Sequence, residues 1–367
     1  MKVCLYSGSL HMVERSGVGQ AVMHQKQMLR SAGVEVTMNE QDDFDVIHLN
    51  TIFPVSPLTA LKARRAGKRV VYYGHSTMED FRNSFKLSNQ LAGIFKWWIC
   101  QCYKTGDVII TPTEYSRKLL RSYGLKQPIY VLSNGVDTEF FSYTKERRHS
   151  FRERYGIGHD DKVVVSVGHY IVRKGILDFI ELARHLPDVR FFWFGYTDPR
   201  LLPSEVTNAI RTAPENVVFP GYVSQEELRD AYCGADLFAF MSYEETEGIV
   251  VLEAMSCGTP TLVRDIPVYE EWLQDGIDVL KATDMEGFIQ KTRDVLEGRT
   301  DIQFERQRSL AMSRSYASLS RRLMEIYKRE FGLRPDSLRL PLHDKHMKRG
   351  KIGIPLLENY RRVLTKN

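Results

Sequence analysis

The segment richest in chemistry runs Ser242-Tyr243-Glu244-Glu245-Thr246-Glu247-Gly248-Ile249-Val250-Val251-Leu252-Glu253-Ala254-Met255-Ser256-Cys257-Gly258-Thr259-Pro260. It follows a strand-like run and passes into a helical pattern. A strand, a loop carrying Gly248 and a helix start leave unpaired N–H groups around Gly248, Ile249 and Val250. With the positive end of the helix dipole, those donors suit a diphosphate or sugar hydroxyls. Glu245 falls in the loop and Glu253 eight residues on, in the helix, so the two carboxylates can hold different hydroxyls of one elongated ligand. Alone the pair is common; between that strand and Ala-Met-Ser-Cys-Gly-Thr-Pro it is specific.

Val165-Ser166-Val167-Gly168-His169-Tyr170-Ile171-Val172-Arg173-Lys174-Gly175 leaves a second strand through a glycine and meets two adjacent cations. Fixed charges aimed at a leaving diphosphate stabilise the negative charge that grows there. By itself an Arg-Lys pair reads equally as solvated surface. His75 stands just past Val70–Tyr73, where open α/β sheets place ligand-contacting residues, although a buried, satisfied histidine is the common alternative. Ser16-Gly17-Val18-Gly19 precedes a helical pattern and fits either a phosphate-approaching loop or a simple turn.

These residues need a scaffold, and the chain supplies one twice. Lys2–Tyr6, Val46–Leu49, Val70–Tyr73, Val108–Thr111 and Ile129–Leu132 are short, β-branched runs separated by helix-length segments such as Gln20–Ala32 and Ser116–Tyr123. After the charged stretch Lys145–Arg154 the alternation restarts with Val163–Val167, Arg190–Phe194, Asn216–Phe219, Leu237–Met241 and Thr261–Val263. Such alternation predicts two doubly wound parallel sheets, with a linker near 140–160. The expected domains are 1–150, facing an acceptor or membrane, and 151–332, binding the donor. Ser318–Phe331 is amphipathic at helical spacing and is expected to close the second domain. A basic tail, 333–367, follows, loosely ordered or a helix returning to the first domain.

The paired-Glu segment resembles the donor-site signature of retaining GT-B glycosyltransferases of family 4. The order of landmarks matches nearly the whole chain to about residue 330: glycine loop, His75, Asn134-Gly135-Val136-Asp137, Gly168-x5-Lys174-Gly175, then the paired Glu. The resemblance implies two α/β domains facing across a cleft and a nucleotide-sugar donor, usually a UDP-sugar. It places Glu245 by the donor sugar, Glu253 on the ribose, and Tyr222 and Val223 of Pro220–Ser224 at the base. It directs Gly17 and Gly19 toward the phosphates and His75 toward the transferred sugar, with Asn134 a site neighbour. Retained anomeric configuration, no cofactor and no metal follow as well; Asp43-Phe44-Asp45 mimics a metal motif but receives no such role. Two departures stand out. Glu247 occupies a position usually held by Phe, and His169 one commonly held by Arg, for which Arg173 is expected to compensate.

Of the 367 residues 43% are hydrophobic and 26% charged, as in folded soluble proteins. No apolar run approaches the roughly 20 residues of a membrane span, and the opening lacks a signal-peptide pattern. The five scattered cysteines read as reduced thiols. A cytosolic protein is expected. The net charge of +5 is uneven: residues 1–150 carry 20 Lys/Arg against 13 Asp/Glu, residues 151–330 carry 22 against 30, and residues 331–367 carry 9 against 3. A basic first domain suggests an anionic partner surface. Lys62, Arg64, Arg65, Lys68 and Arg69 form one cluster, and Lys96, Trp97 and Trp98 set rings beside a cation, as membrane-interface segments do; helix core is the competing reading of the tryptophans.

His75–Phe85 together with Gly168-His169-Tyr170 resembles bacterial glycolipid synthases that add a second hexose to monoglycosyl-diacylglycerol. That implies a UDP-hexose donor (glucose or galactose), monoglucosyl-diacylglycerol as acceptor, and peripheral attachment to the anionic inner face of the cell membrane, with no nucleic-acid partner. Alternatives are a glycosyltransferase of polysaccharide or cell-wall synthesis, a nucleotide-sugar epimerase, and a basic nucleic-acid-binding protein. A nicotinamide dehydrogenase is disfavoured, because no Gly-x-Gly-x-x-Gly follows the first strand.

Overall fold

A computed structural model describes residues 1–6, 8, 17–84, 87–300 and 304–333. Ser16, the tail beyond Leu333, and Phe85 at the end of the His75 segment lie outside the described residues.

The first domain runs β1 (Lys2–Leu5), α1 (Gly17–Ser31), β2 (Glu35–Thr37), β3 (Val46–Leu49), α2 (Val55–Arg65), β4 (Arg69–Tyr73), α3 (Met78–Phe81), α4 (Ser88–Tyr103), β5 (Val108–Thr111), α5 (Glu114–Ser122) and β6 (Ile129–Val131). The second runs α6 (Lys145–Arg154), β7 (Lys162–Val167), α7 (Ile176–Arg184), β8 (Val189–Phe194), α8 (Ser204–Arg211), β9 (Val217–Gly221), α9 (Gln225–Gly234), β10 (Leu237–Phe240), α10 (Ile249–Ser256), β11 (Thr261–Arg264), β12 (Leu280–Ala282) and α11 (Met285–Leu296). α12 (Phe304–Ser313) and α13 (Tyr316–Phe331) complete the described chain.

Two six-stranded parallel sheets result, ordered β2-β1-β3-β4-β5-β6 and β12-β11-β10-β7-β8-β9. Helices cover both faces, which is why β3 and β10 are buried at every position. Strand order reverses beside β1 and β3 in one sheet and beside β7 and β10 in the other. The crevice at such a switch point, outside the carboxyl ends of the strands, is where this architecture receives ligands.

Three local expectations change. Lys145–Arg154 is a helix despite its charge: Thr144 caps it, and it packs on α9 through Phe151, with Gly234 leaving room for that ring. Arg148 pairs with Asp236 at 3.0 Å and Arg152 donates to the Gly234 carbonyl, so the charges anchor the helix to the second domain. Helix α1 includes Gly17–Ser31, so Gly17 and Gly19 belong to the helix itself. Helix α13 does not close the second domain. Its apolar stripe, Leu319, Leu323, Met324, Ile326 and Tyr327, packs into the core with Val3, Leu5 and Val22 of the first. Amphipathicity announces that a face will be buried but not against which sheet. Among the described residues no helix is long and apolar enough to cross a membrane.

Candidate active site

The facing strand ends enclose a cleft of about 550 Å³ lined by both domains. From the first sheet, Asn50 follows β3 and His75 follows β4; from the second, Gly168 to Lys174 follow β7 and Glu245 to Glu253 follow β10. Two glycines make the tight approaches possible. Gly175 has φ +79°, and a Cβ there would lie 2.2 Å from the Met241 carbonyl oxygen. Gly248 has φ +89° and stands against the Tyr269 hydroxyl. Neither position accepts a side chain, so the Arg173–Lys174 turn and the start of α10 are held at fixed places.

Lys174 pairs with the Glu245 carboxylate at the cleft wall. Burial alone would raise the Glu245 carboxyl, but Lys174 and Arg173 outweigh it and hold the group below the usual carboxylate range. The N–H groups of Ile249 and Val250, at the start of α10, have no intrahelical acceptor and line the same cleft. A cation and a helix N-terminus facing one cavity form an anion site. Farther along, Glu253 is buried, accepts a 2.9 Å hydrogen bond from the Tyr232 hydroxyl, and is pushed up to about 7 by burial, which that bond partly offsets.

Arg173 behaves differently from its neighbour. Only 8% exposed, it donates to the Glu244 carbonyl at 2.6 Å and to the Ser84 hydroxyl at 2.8 Å, and it pairs with Asp80 at 2.8 Å. It lines the cleft as well, 3.9 Å from Glu245, and through Ser84 and Asp80 it joins the second domain to the first. His169 lines the cleft with Nδ1–H donating to the Tyr196 carbonyl at 2.8 Å; burial first, then Lys174 and Arg173, lower its basicity. It is therefore a neutral group beside Lys174, not a substitute for a cation. Tyr222, Val223, Gly17 and His75 also line the cleft, whereas Gly19 is buried in α1 and does not.

Sequence reasoning misses other contributors. Glu247 accepts from the Asn134 backbone N–H at 3.0 Å and its amide at 2.8 Å, tying the loop before α10 to the end of the first domain. Asn50 is legible in principle, as the residue following a parallel strand. Ile52, Phe53, Phe81 and Phe95 give the first-domain wall an apolar stretch, with the Phe81 and Phe95 rings stacked 4.0 Å apart.

The basic residues of the first domain do not gather into one cluster. Arg64 pairs with Asp107 and Lys68 with Asp43, at the strand ends away from the cleft. Arg69 opens β4, its guanidinium over Phe331. Lys62 and Arg65 are exposed on α2. On α4, Lys96 lies over the Tyr123 ring and Trp98 donates to the Ile52 carbonyl, while Trp97 is 61% exposed. Asp45, of the metal-like triplet, accepts from the Lys2 backbone N–H, and among the described residues no group of His, Cys, Asp and Glu is arranged to hold a metal.

Residues 36–140 match the family model described as Glycosyltransferase Family 4, and residues 147–311 that of Glycosyl transferases group 1. The processive diacylglycerol alpha-glucosyltransferase of Acholeplasma laidlawii is 38% identical over 89% of this chain and 98% of its own length. The alpha-galactosylglucosyldiacylglycerol synthase of Streptococcus pneumoniae is 30% identical over 71% of this chain and 72% of that one. Among solved structures, Anabaena HepE in complex with UDP and glucose superposes with a TM-score of 0.72 at 16% identity, covering 90% of this chain and all of that one. Two parallel sheets meeting at a shared cleft, matched along both halves by these models and relatives, make this chain a member of the GT-B glycosyltransferases of family 4.

Proposed function

We propose that the enzyme moves a hexose, glucose or galactose, from a UDP-sugar to monoglucosyl-diacylglycerol at an anionic membrane surface, with retention of configuration, giving diglycosyl-diacylglycerol. In this reading the diphosphate sits against Lys174 and the N–H groups of Ile249 and Val250, the ribose against Glu253, the base by Tyr222 and Val223, and the transferred sugar between Glu245 and His75. As the bond from the sugar carbon to the diphosphate oxygen breaks, Lys174 and the start of α10 take up the charge left on oxygen. Closure of the two domains excludes water. The relatives' named activities on diacylglycerol glycolipids support the acceptor class.

The observation that carries the lipid reading is an apolar path out of the cleft. From Phe81 and Phe95 the wall leads to α4, whose outer side exposes Leu91, Ile94 and Trp97, with Leu58 and Leu61 exposed on the adjoining α2. Neither helix contains an acidic residue, and Lys62 and Arg65 flank the apolar side chains. Cations beside apolar side chains suit the interface of an anionic bilayer, on the cytoplasmic face in this reading.

The test is UDP release from UDP-glucose and UDP-galactose, with and without vesicles containing monoglucosyl-diacylglycerol, for wild type and Glu245→Ala. Glycolipid-dependent release with a diglycosyl product, lost in the variant, is expected; turnover indifferent to the glycolipid with both donors would reject the acceptor. Separately, Ile94→Glu with Trp97→Glu is expected to lower partitioning onto phosphatidylglycerol vesicles by about 10-fold or more, since it removes apolar area and adds two carboxylates that the anionic lipid repels. Sedimentation indistinguishable from wild type would remove this face from the membrane.

A further inference from the structure

Behind the first-domain wall a chain of buried hydrogen bonds runs from the C-terminal helix to the cleft. Tyr327 on α13 bonds through its hydroxyl to His48 Nε2. His48 Nδ1 lies 3.2 Å from Gln25 Oε1, and the Gln25 and Asn50 amides pair reciprocally at 2.6 and 3.1 Å. Asn50 Oδ1 then meets His75 Nε2 at 2.8 Å. All five residues are buried, and Asn50 and His75 line the cleft.

The direction of every bond follows from one end. His48 is the only hydrogen-bond partner of the Tyr327 hydroxyl among the described residues, and burial keeps that phenol protonated. Were the hydroxyl an acceptor, its own hydrogen would be buried without a partner, which costs more than a bond gains. It therefore donates. Burial lowers His48 to about 3 and His75 to about 4, so both imidazoles are neutral and each carries one ring hydrogen. With Nε2 of His48 accepting, its hydrogen is on Nδ1 and faces Gln25 Oε1. Gln25 must then turn its amide nitrogen to Asn50 Oδ1, and His75 must donate to that same oxygen from Nε2. His75 Nδ1 remains as a hydrogen-bond acceptor with no protein partner among the described residues, on a ring that lines the cleft.

We propose that Tyr327 and His48 are positioning residues: through Gln25 and Asn50 they fix His75 as its Nε2–H tautomer, so that Nδ1 accepts a hydrogen bond from a hydroxyl of the transferred sugar. The last step rests on the proposed placement of His75 at that sugar; the tautomer does not.

The test is ring-nitrogen NMR of full-length protein labelled with 15N-histidine, with His75 assigned from His75→Ala, combined with turnover of wild type, Tyr327→Phe, His75→Ala and the double variant. The wild type is expected to carry hydrogen on His75 Nε2. In Tyr327→Phe the ring becomes a tautomer mixture and kcat/KM falls about 10-fold, the scale of outer partners that orient a ligand-contacting histidine. The double variant is no slower than His75→Ala. A wild-type His75 protonated on Nδ1, or a tautomer unchanged by Tyr327→Phe, overturns the proposal; should the variant fold poorly, the wild-type spectrum tests the other end as well, because a His48 carrying its hydrogen on Nε2 breaks the chain at Tyr327. A tautomer that shifts while His75→Ala retains full turnover leaves the chain standing and overturns the placement of His75 at the sugar.

Discussion

Lys174→Ala is expected to lower kcat/KM by about 10²- to 10³-fold, the usual loss when a preorganised charge is removed from a leaving group in a water-excluded site. The loss should fall mainly on kcat, because charge on the diphosphate is greatest as the bond breaks. The variant also strips Glu245 of its close cation, leaving Arg173 at 3.9 Å, so burial is less opposed and the carboxyl rises. Breaking one side of a buried pair costs about 3–5 kcal/mol, so thermal unfolding must accompany the kinetics. Lys174→Gln with Glu245→Gln is the control: it restores much of the stability and none of the turnover. Turnover within a few-fold of wild type in a folded Lys174→Ala would reduce the pair to a structural contact.

The second large effect concerns Glu253. Glu253→Gln is expected to raise the donor KM by about 10- to 100-fold, since a buried carboxylate bonded to hydroxyls contributes more than a neutral amide. Burial raises its folded pKa from 4.5 to about 7. Between those values the folded state holds a proton that the unfolded chain has released, so stability is full below pH 4.5 and declines as pH rises to about 7. Replacing the group with Gln removes that decline, and the empty protein should gain up to about 3 kcal/mol at pH 8 and little at pH 5. Donor binding runs the opposite way. With the ribose on Glu253 as proposed, it favours the ionised carboxylate, so the wild-type donor KM should climb as pH falls below 7. Glu244 titrates in the same range, beside Tyr115, Asp80 and Glu245. The slope therefore belongs to Glu253 only if Glu253→Gln abolishes it. A variant with wild-type KM and wild-type pH dependence would take Glu253 off the ribose.

Both predictions concern residues legible in the amino-acid sequence, because their signals are local. The β-branched run Val163–Val167 leaving through Gly168, and the apolar run Leu237–Met241 followed by Gly248 and a helical pattern, each read as a strand, a tight loop and a helix start. Lys174 and Glu253 inherit their places from that grammar. The two six-stranded sheets follow from the same alternation. Two short elements escape it: β2 and β12 have three residues each with a charged one, Glu35 and Lys281, breaking the apolar run, whereas the equally short β6 has none. The Lys145–Arg154 helix is hidden by its own charges, whose partners Asp236 and the Gly234 carbonyl lie more than 80 residues away.

Arg173 and Lys174 are adjacent and alike in sequence and both line the cleft, yet Arg173 is bonded to Asp80, Ser84 and the Glu244 carbonyl while Lys174 makes the close pair with Glu245. Glu247, odd against its family's pattern, takes its place from Asn134, 113 positions earlier. Tyr327 reads as one more apolar face residue until α13 returns to the first domain and meets His48, 279 positions earlier. Local pattern carries secondary structure and the identity of a loop, because those depend on neighbours a few residues apart. Which partner each cation takes, which carboxylate is bound and which way a buried hydrogen bond points depend on pairings between residues far apart in the chain, and these exist only once it is folded.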